Sequence, residues 1–284
     1  MTVLIRPEGQ TPDDMKLSRR AVGALGGLMF SGYAVAALAK EAEPVTTDDA
    51  GLTTETVSYR APDGFDLPAY VARPEGDGPF PVVIVVSEIF GVHDYIRDVC
   101  RRLAKQGYAA IAPAFFVRVE DPAPLSDMQR IMQIVSAAGY DQVMGDISAT
   151  LDWASQQLWA NADKVGITGF CWGGTVVWRA AIGNADIRAG VAWYGRLGTV
   201  IPRAAELKAP VLGLYGGRDQ GIPLASVERM RQALARAGQT GSEIVVYDDA
   251  PHGFHADYRA SYAEADAKDG WSRLTALFAA KLKA

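Results

Sequence analysis

A hexapeptide, Gly169-Phe170-Cys171-Trp172-Gly173-Gly174, restricts this chain to few folds. The run before it, Lys164 to Thr168, has strand character, and the run after it, Thr175 to Ala181, is compatible with a helix. Glycines two residues before and two after the central position leave room for a sharp strand-to-helix turn, whose central residue adopts crowded dihedrals. Such a turn lifts the central side chain above the sheet and aims backbone N–H groups at the group it attacks. The centre here is cysteine, so the turn would present a thiol. A buried, inert cysteine in a glycine-rich turn fits the hexapeptide equally well, and the rest of the chain has to decide between the two.

Strands alternate with helices around this turn. Val82-Val83-Ile84-Val85-Val86 is a continuous β-branched run, as expected of a strand buried on both faces of a parallel sheet. Residues 94–106 place Ile96, Val99 and Leu103 on one helical face and end at Gly107. Further strands are predicted at 108–113, 189–194, 210–215 and 243–247, and helices at 126–138, 141–158, 223–237 and within 260–283. Upstream, 55–60 and 67–73 read as strands about the turn signal Pro62-Asp63-Gly64, and 45–52 as a linker. The expected fold class is α/β: a mostly parallel sheet with helices on both faces and an antiparallel N-terminal hairpin, in one domain over residues 45–284.

The first 39 residues have a different character. A polar stretch ends in Arg19-Arg20, residues 21–39 carry no charge, and Ala37-Leu38-Ala39 precedes Lys40. Charged, apolar and small-residue zones in that order are the layout of an export signal, and the paired arginines suggest the twin-arginine route. Residues 1–39 are therefore expected to direct the protein to the periplasm. The alternatives are an uncleaved membrane anchor over 21–39, which is the one way a membrane would enter, and a helix retained in a cytoplasmic protein.

Composition removes other classes. A net charge of −5 offers no basic footprint for nucleic acid. Cys100 and Cys171 are the two cysteines and no CxxC occurs, so a disulfide framework and a structural zinc site are not expected. His252 and His255 stand without an HExxH pattern or a carboxylate–histidine set, so no metal and no cofactor is predicted.

Sites in open α/β sheets collect at the carboxyl ends of strands. Four chemistry-bearing residues follow four different predicted strands: Glu88, Cys171, Asp219 and His252. The order Cys171, Asp219, His252 is the nucleophile, acid, base order of the α/β-hydrolase fold. A thiol largely protonated at neutral pH needs a base, which His252 can supply, and Asp219 can hold the imidazole in one tautomer. The backbone N–H groups of Trp172 and Ile89 are the candidate oxyanion hole. Bland readings compete: Asp219 as a turn cap before Pro223, His252 as a loop histidine, and His255 as a rival base. His93 reads as flanking the helix from Asp94, and Cys100 as core. Glu88, between a β-branched strand and Ile89-Phe90, requires a partner if buried.

The elbow, the segment Ser87–Tyr108, the strand-loop Leu214–Pro223 and Pro251-His252-Gly253-Phe254 together resemble the dienelactone hydrolase (carboxymethylenebutenolidase) family over about residues 53–280. The resemblance implies a Cys171–His252–Asp219 triad, a Glu88 that takes the thiol proton when substrate binds, and lactone ring opening to a hydroxy acid. It also implies Arg118 as a ligand of a substrate carboxylate, with Phe90 and Tyr194 lining the pocket. The chain departs from the best-known members in two places. Ala256 stands where they carry a second carboxylate-binding arginine, and Phe116-Val117-Arg118 replaces their Tyr-Ala-Arg loop. The expected partner is a small ester or lactone, over a range broader than dienelactone. A thioesterase or acyl-peptide hydrolase on the same scaffold is the enzymatic alternative. A periplasmic binding protein without turnover would have no use for a positioned acid–histidine pair.

Overall fold

The computed structural model describes residues 44–284; the expected export signal at 1–39 lies outside the described residues. Eight strands form one sheet in the order β1-β2-β4-β3-β5-β6-β7-β8. They are β1 (Leu52–Arg60), β2 (Asp66–Pro74), β3 (Phe80–Val86), β4 (Ala109–Pro113), β5 (Ala160–Phe170), β6 (Ile187–Trp193), β7 (Val211–Gly216) and β8 (Glu243–Tyr247). The helices are α1 (Asp94–Lys105), α2 (Met128–Ala137), α3 (Tyr140–Ser155), α4 (Trp172–Gly183), α5 (Leu224–Arg236) and α6 (Glu264–Phe278). β1 and β2 pair antiparallel, β2 joins β4 antiparallel, and all remaining pairs are parallel. The α/β expectation, with its edge hairpin and parallel body, is the architecture found. Among the described residues no helix is long and apolar enough to cross a membrane.

The β-branched run explains the centre. Val82 to Val86 are all fully buried, between β4 on one side and β5 on the other. Each such side chain contributes about 1.5–3 kcal/mol by leaving water. β5 is longer than Lys164–Thr168 suggested, because its first residues, Ala160 to Lys164, alternate alanine with polar groups and stay at least partly exposed, while everything from Val165 on is buried. Asp127 starts α2 by accepting the N–H groups of Gln129 and Arg130, at 2.9 and 3.3 Å.

Residues 45–52 are not a linker. The buried Asp98 of α1 accepts the Thr47 N–H at 2.6 Å, and Arg101 Nε donates to the Thr47 carbonyl at 2.7 Å. Lys105 Nζ bonds both Asp48 and the Ala50 carbonyl, each at 2.6 Å. Arg102 joins this segment to a distant loop, reaching the Val45 carbonyl at 3.3 Å and Asp257 at 2.5 Å, with its Nε on Asp98 at 2.5 Å. Charged groups on α1 thus satisfy backbone that would otherwise face water. Removing one member of a buried ion pair costs about 3–5 kcal/mol. Asp98→Ala is therefore expected to lower the urea midpoint and to abolish hydrogen-exchange protection at Thr47; protection equal to that of the unaltered protein would contradict the docking.

Candidate active site

Five adjacent parallel strands, β3, β5, β6, β7 and β8, end at one edge of the sheet. The register keeps their tips level: Val86 pairs with Gly169, Phe170 with Trp193, Trp193 with Leu214, and Gly216 with Tyr247. Glu88, Cys171, Tyr194, Asp219 and His252 follow these tips in turn.

Cys171 sits at φ 57°, ψ −113°, between β5 and α4. Its N–H continues the ladder to the Trp193 carbonyl at 2.9 Å, and its carbonyl accepts the Gly174 N–H at 3.0 Å. A positive φ at a non-glycine residue is of order 1–3 kcal/mol unfavourable and persists only where its surroundings impose it. The flanking glycines permit the geometry. A Cβ on Gly169 would lie 2.5 Å from the Gly173 carbonyl oxygen, and one on Gly173 would lie 2.5 Å from the Val86 oxygen and 2.6 Å from that of Ser87. The loop after β3 therefore rests directly on the elbow, which brings Glu88 and Ile89 to it. The Trp172 N–H, first of α4, belongs to the helix-start donors that have no partner within their helix.

Asp219 fills both roles weighed for it. One carboxylate oxygen accepts from His252 Nδ1 at 2.6 Å, and the other accepts the N–H groups of Gly221 and Ile222, at 2.7 and 3.1 Å. Anchoring of the carboxylate by its loop fixes the imidazole and leaves Nε2 as the nitrogen for exchange with a thiol. Burial disfavours the His252 imidazolium, yet the Cys171 sulfur and Asp219 outweigh it and hold its pKa above the ordinary value.

His255 is a core residue. Its Nδ1 meets the Tyr95 hydroxyl at 2.5 Å, its ring packs on Trp193 and Phe170, and burial, with Arg102, pushes its pKa down to about 3. Cys100 is buried in α1. Among the described residues no group of His, Cys, Asp and Glu could hold a metal ion.

Glu88 is fully buried, and its partners went unread in the sequence. Oε2 accepts from the Tyr258 hydroxyl at 2.8 Å and from Arg259 at 3.0 Å, with His93 Nε2 at 3.8 Å. Oε1 has no hydrogen-bond partner among the described residues. Burial would raise the Glu88 pKa; Arg259, His93 and Tyr258 overcome it and hold the group down to about 2. Ala256 carries no charge, and an arginine three residues later, Arg259, is the one that reaches Glu88. Gly253 at φ 74° and successive turns, Ala256 N–H to Gly253 and Arg259 N–H to Ala256, fold the loop so that Arg259 faces Glu88. The adjacent Tyr258-Arg259 pair was the available signal.

Arg118 is committed elsewhere. It makes two bidentate pairs, with Asp63 at 2.7 and 3.0 Å and with Asp146 at 2.7 and 2.8 Å, and covers the Phe65 ring. Four of its five N–H donors are used in tying the hairpin turn to α3, so the resemblance-based role as a carboxylate ligand gives way to a structural one. Phe90 lies under the Arg259 guanidinium at 4.8 Å. Tyr194 is buried at φ 40°, its ring 5.1 Å from His252 and its hydroxyl without a partner among the described residues. Ile89 belongs to a small apolar cluster with Phe116, Ile131, Ile134 and Val135, against which Phe90 and Trp172 pack.

A nucleophile-type elbow on a mostly parallel sheet, with an acid–histidine pair after later strands, places the protein in the α/β-hydrolase class. The Dienelactone hydrolase family profile matches residues 67–282. The chain is 48% identical over 269 residues, 91% of both proteins, to the "Putative carboxymethylenebutenolidase" of Methylorubrum extorquens. It is 47% identical over 260 residues to the protein of the same name from Salmonella typhimurium, covering 88% of this chain and 95% of that one. The crystal structure titled as a "Putative Dienelactone Hydrolase" from Klebsiella pneumoniae superposes with a TM-score of 0.76 at 47% identity, covering 80% of this chain and 98% of that one. The chain belongs to the dienelactone hydrolase family, and it is a hydrolase of lactones or esters.

Two outcomes test this geometry. Gly173→Ala is expected to cost about 1–3 kcal/mol or more by overpacking and to displace the elbow; unchanged thermal stability would contradict the contact with Val86 and Ser87. Glu88 has a lower pKa folded than its unfolded value of 4.5, so it stabilises the fold above that pH and the gain is lost as pH falls toward 2. The loss amounts to about 3 kcal/mol. Glu88→Gln should be less stable at neutral pH and should lack this part of the acid dependence, measured by urea unfolding between pH 5 and 3.

Proposed function

We propose that this hydrolase opens small lactones and cleaves small esters with the Cys171 sulfur as nucleophile. The observation that carries the reading is the 2.6 Å bond between Asp219 and His252 Nδ1, beside a cysteine held at φ 57°. His252 Nε2 takes the thiol proton, and the thiolate adds to the substrate carbonyl. The N–H groups of Trp172 and Ile89 receive the negative oxygen, each such donor being worth about 3 kcal/mol of transition-state stabilisation. Collapse expels the alkoxide, which takes the proton back from His252. Water, deprotonated by the same imidazole, then hydrolyses the thioester, releases the hydroxy acid and restores the thiol.

Glu88 plays a conditional part. While Arg259 pairs with it, a pKa of about 2 makes it too weak a base for the thiol. It becomes a proton acceptor once a substrate oxygen draws Arg259 away; the family resemblance implies only that Glu88 takes the proton when substrate binds. Arg259, rather than Arg118, is then the cation closest in role to a substrate anchor.

Cys171→Ala is expected to lower kcat on p-nitrophenyl acetate and on a simple enol lactone by at least about a thousandfold, with an unchanged circular-dichroism spectrum. In the same variant the His252 ring resonances should titrate at lower pH, because the sulfur that raises its proton affinity is gone. Retained hydrolysis would refute the nucleophile.

A further inference from the structure

A further cation, Arg179, lies on α4, outside the set just described. Cys171, Thr175 and Arg179 are spaced four residues apart and share one helical face. Tyr140, the first residue of α3, inserts its ring between Arg179 and the elbow. It stacks on Trp172 with centroids 6.2 Å apart and planes at 12°, and the Arg179 guanidinium carbon lies 3.7 Å from its centroid. A guanidinium stacked on a ring face keeps its N–H fork in its own plane, open to a carboxylate. That fork is unused: Arg179 makes no hydrogen bond or ion pair among the described residues, and its Nε is buried without a partner. Arg179 and Tyr140 are both half-buried, so solvent-borne groups can reach them.

Arg196 enters from the loop after β6, its carbonyl accepting the Thr175 hydroxyl at 3.1 Å. Tyr140 lies in the fields of Arg179, Arg196 and Cys171 together. Arg203, though paired with Glu206 at 2.8 Å, adds to the positive potential at Arg179, and Asp141 opposes it. In a protein of net charge −5, this corner is locally cationic.

We propose that Arg179, with Arg196 beside it, forms a subsite for a carboxylate at the far end of the substrate. The side chain leans toward the start of α4, so the guanidinium stands on the order of 10 Å from the carbonyl attacked by Cys171. That separation suits an acyl chain of roughly six methylenes ending in a carboxylate. Tyr140 and Trp172 form an aromatic wall between the two ends. The subsite deepens the cysteine-hydrolase reading and rests on it.

The test compares the mono-p-nitrophenyl ester of suberic acid with its neutral methyl-capped diester. Arg179→Met is expected to raise KM for the charged ester about tenfold with kcat within about twofold, and to leave both constants for the neutral ester unchanged. Arg179→Lys should recover part of the difference, since it keeps the charge without the planar fork. An equal change on both esters, or none on the charged one, overturns the subsite. Calorimetric binding of monomethyl suberate to Cys171→Ala, with and without Arg179→Met, reads the subsite without turnover. Loss of binding on removing Arg179 supports it, and equal binding overturns it. Hydrolysis that survives Cys171→Ala would instead overturn the nucleophile and leave this binding comparison to stand on its own.

Discussion

A cysteine held in the positive-φ region is the constraint on which the surrounding structure depends. The conformation is unfavourable alone and must be imposed from outside. Here the imposition is steric and reciprocal. Gly173 packs against the Val86 and Ser87 carbonyls, and Gly169 against Gly173, so the tips of β3 and β5 hold the turn between them. One contact thus sets both the thiol and the loop that carries Glu88 and Ile89. The parallel register carries the arrangement sideways, through Trp193 and Leu214 to the strands that deliver Asp219 and His252.

Charge is handled in a consistent manner around this frame. The buried acids near the site are paired with an arginine or an imidazole, most of them from another part of the chain: Glu88 with Arg259, Asp219 with His252, Asp146 with Arg118 and Asp257 with Arg102, whereas Asp98 pairs with the same Arg102 within α1. Buried pairs of this sort add little net stability compared with apolar packing, but breaking them is expensive. They therefore specify which loop lies on which helix. Arg179 differs from the others, because its partner is an aromatic face and not an acid.

Much of this was legible in the sequence, and the physical reasons for the remainder can be stated. The Gly-x-Cys-x-Gly spacing and the β-branched run of β3 encode backbone requirements that few folds satisfy, so the elbow and the sheet could be read directly. The meeting of Asp219 with His252 is legible because parallel strands deposit their following residues at one edge. Arg259 was missed because the loop from Gly253 coils through successive turns, and residue spacing then no longer measures distance. Arg118 was misassigned for the opposite reason: its motif fits a ligand-binding arginine, and only the folded chain brings Asp63 and Asp146 to it. The docking of residues 45–50 left no local pattern, since its bonds are between backbone groups and side chains about fifty positions away.

The pairing of Glu88 with Arg259 spans 171 positions in the chain. A carboxylate at the tip of the central strand cannot be taken out of water before its cation exists, and that cation is synthesised 171 positions later. The core strands β3, β4 and β5 can associate early, but the loop over them has to stay hydrated until the turns that carry Arg259 arrive. Non-local closure of this kind is slow relative to local packing. Assembly of the site is accordingly a late event in the life of the nascent chain, and a fragment that ended before Arg259 would carry a sheet whose most chemically important edge is still wet.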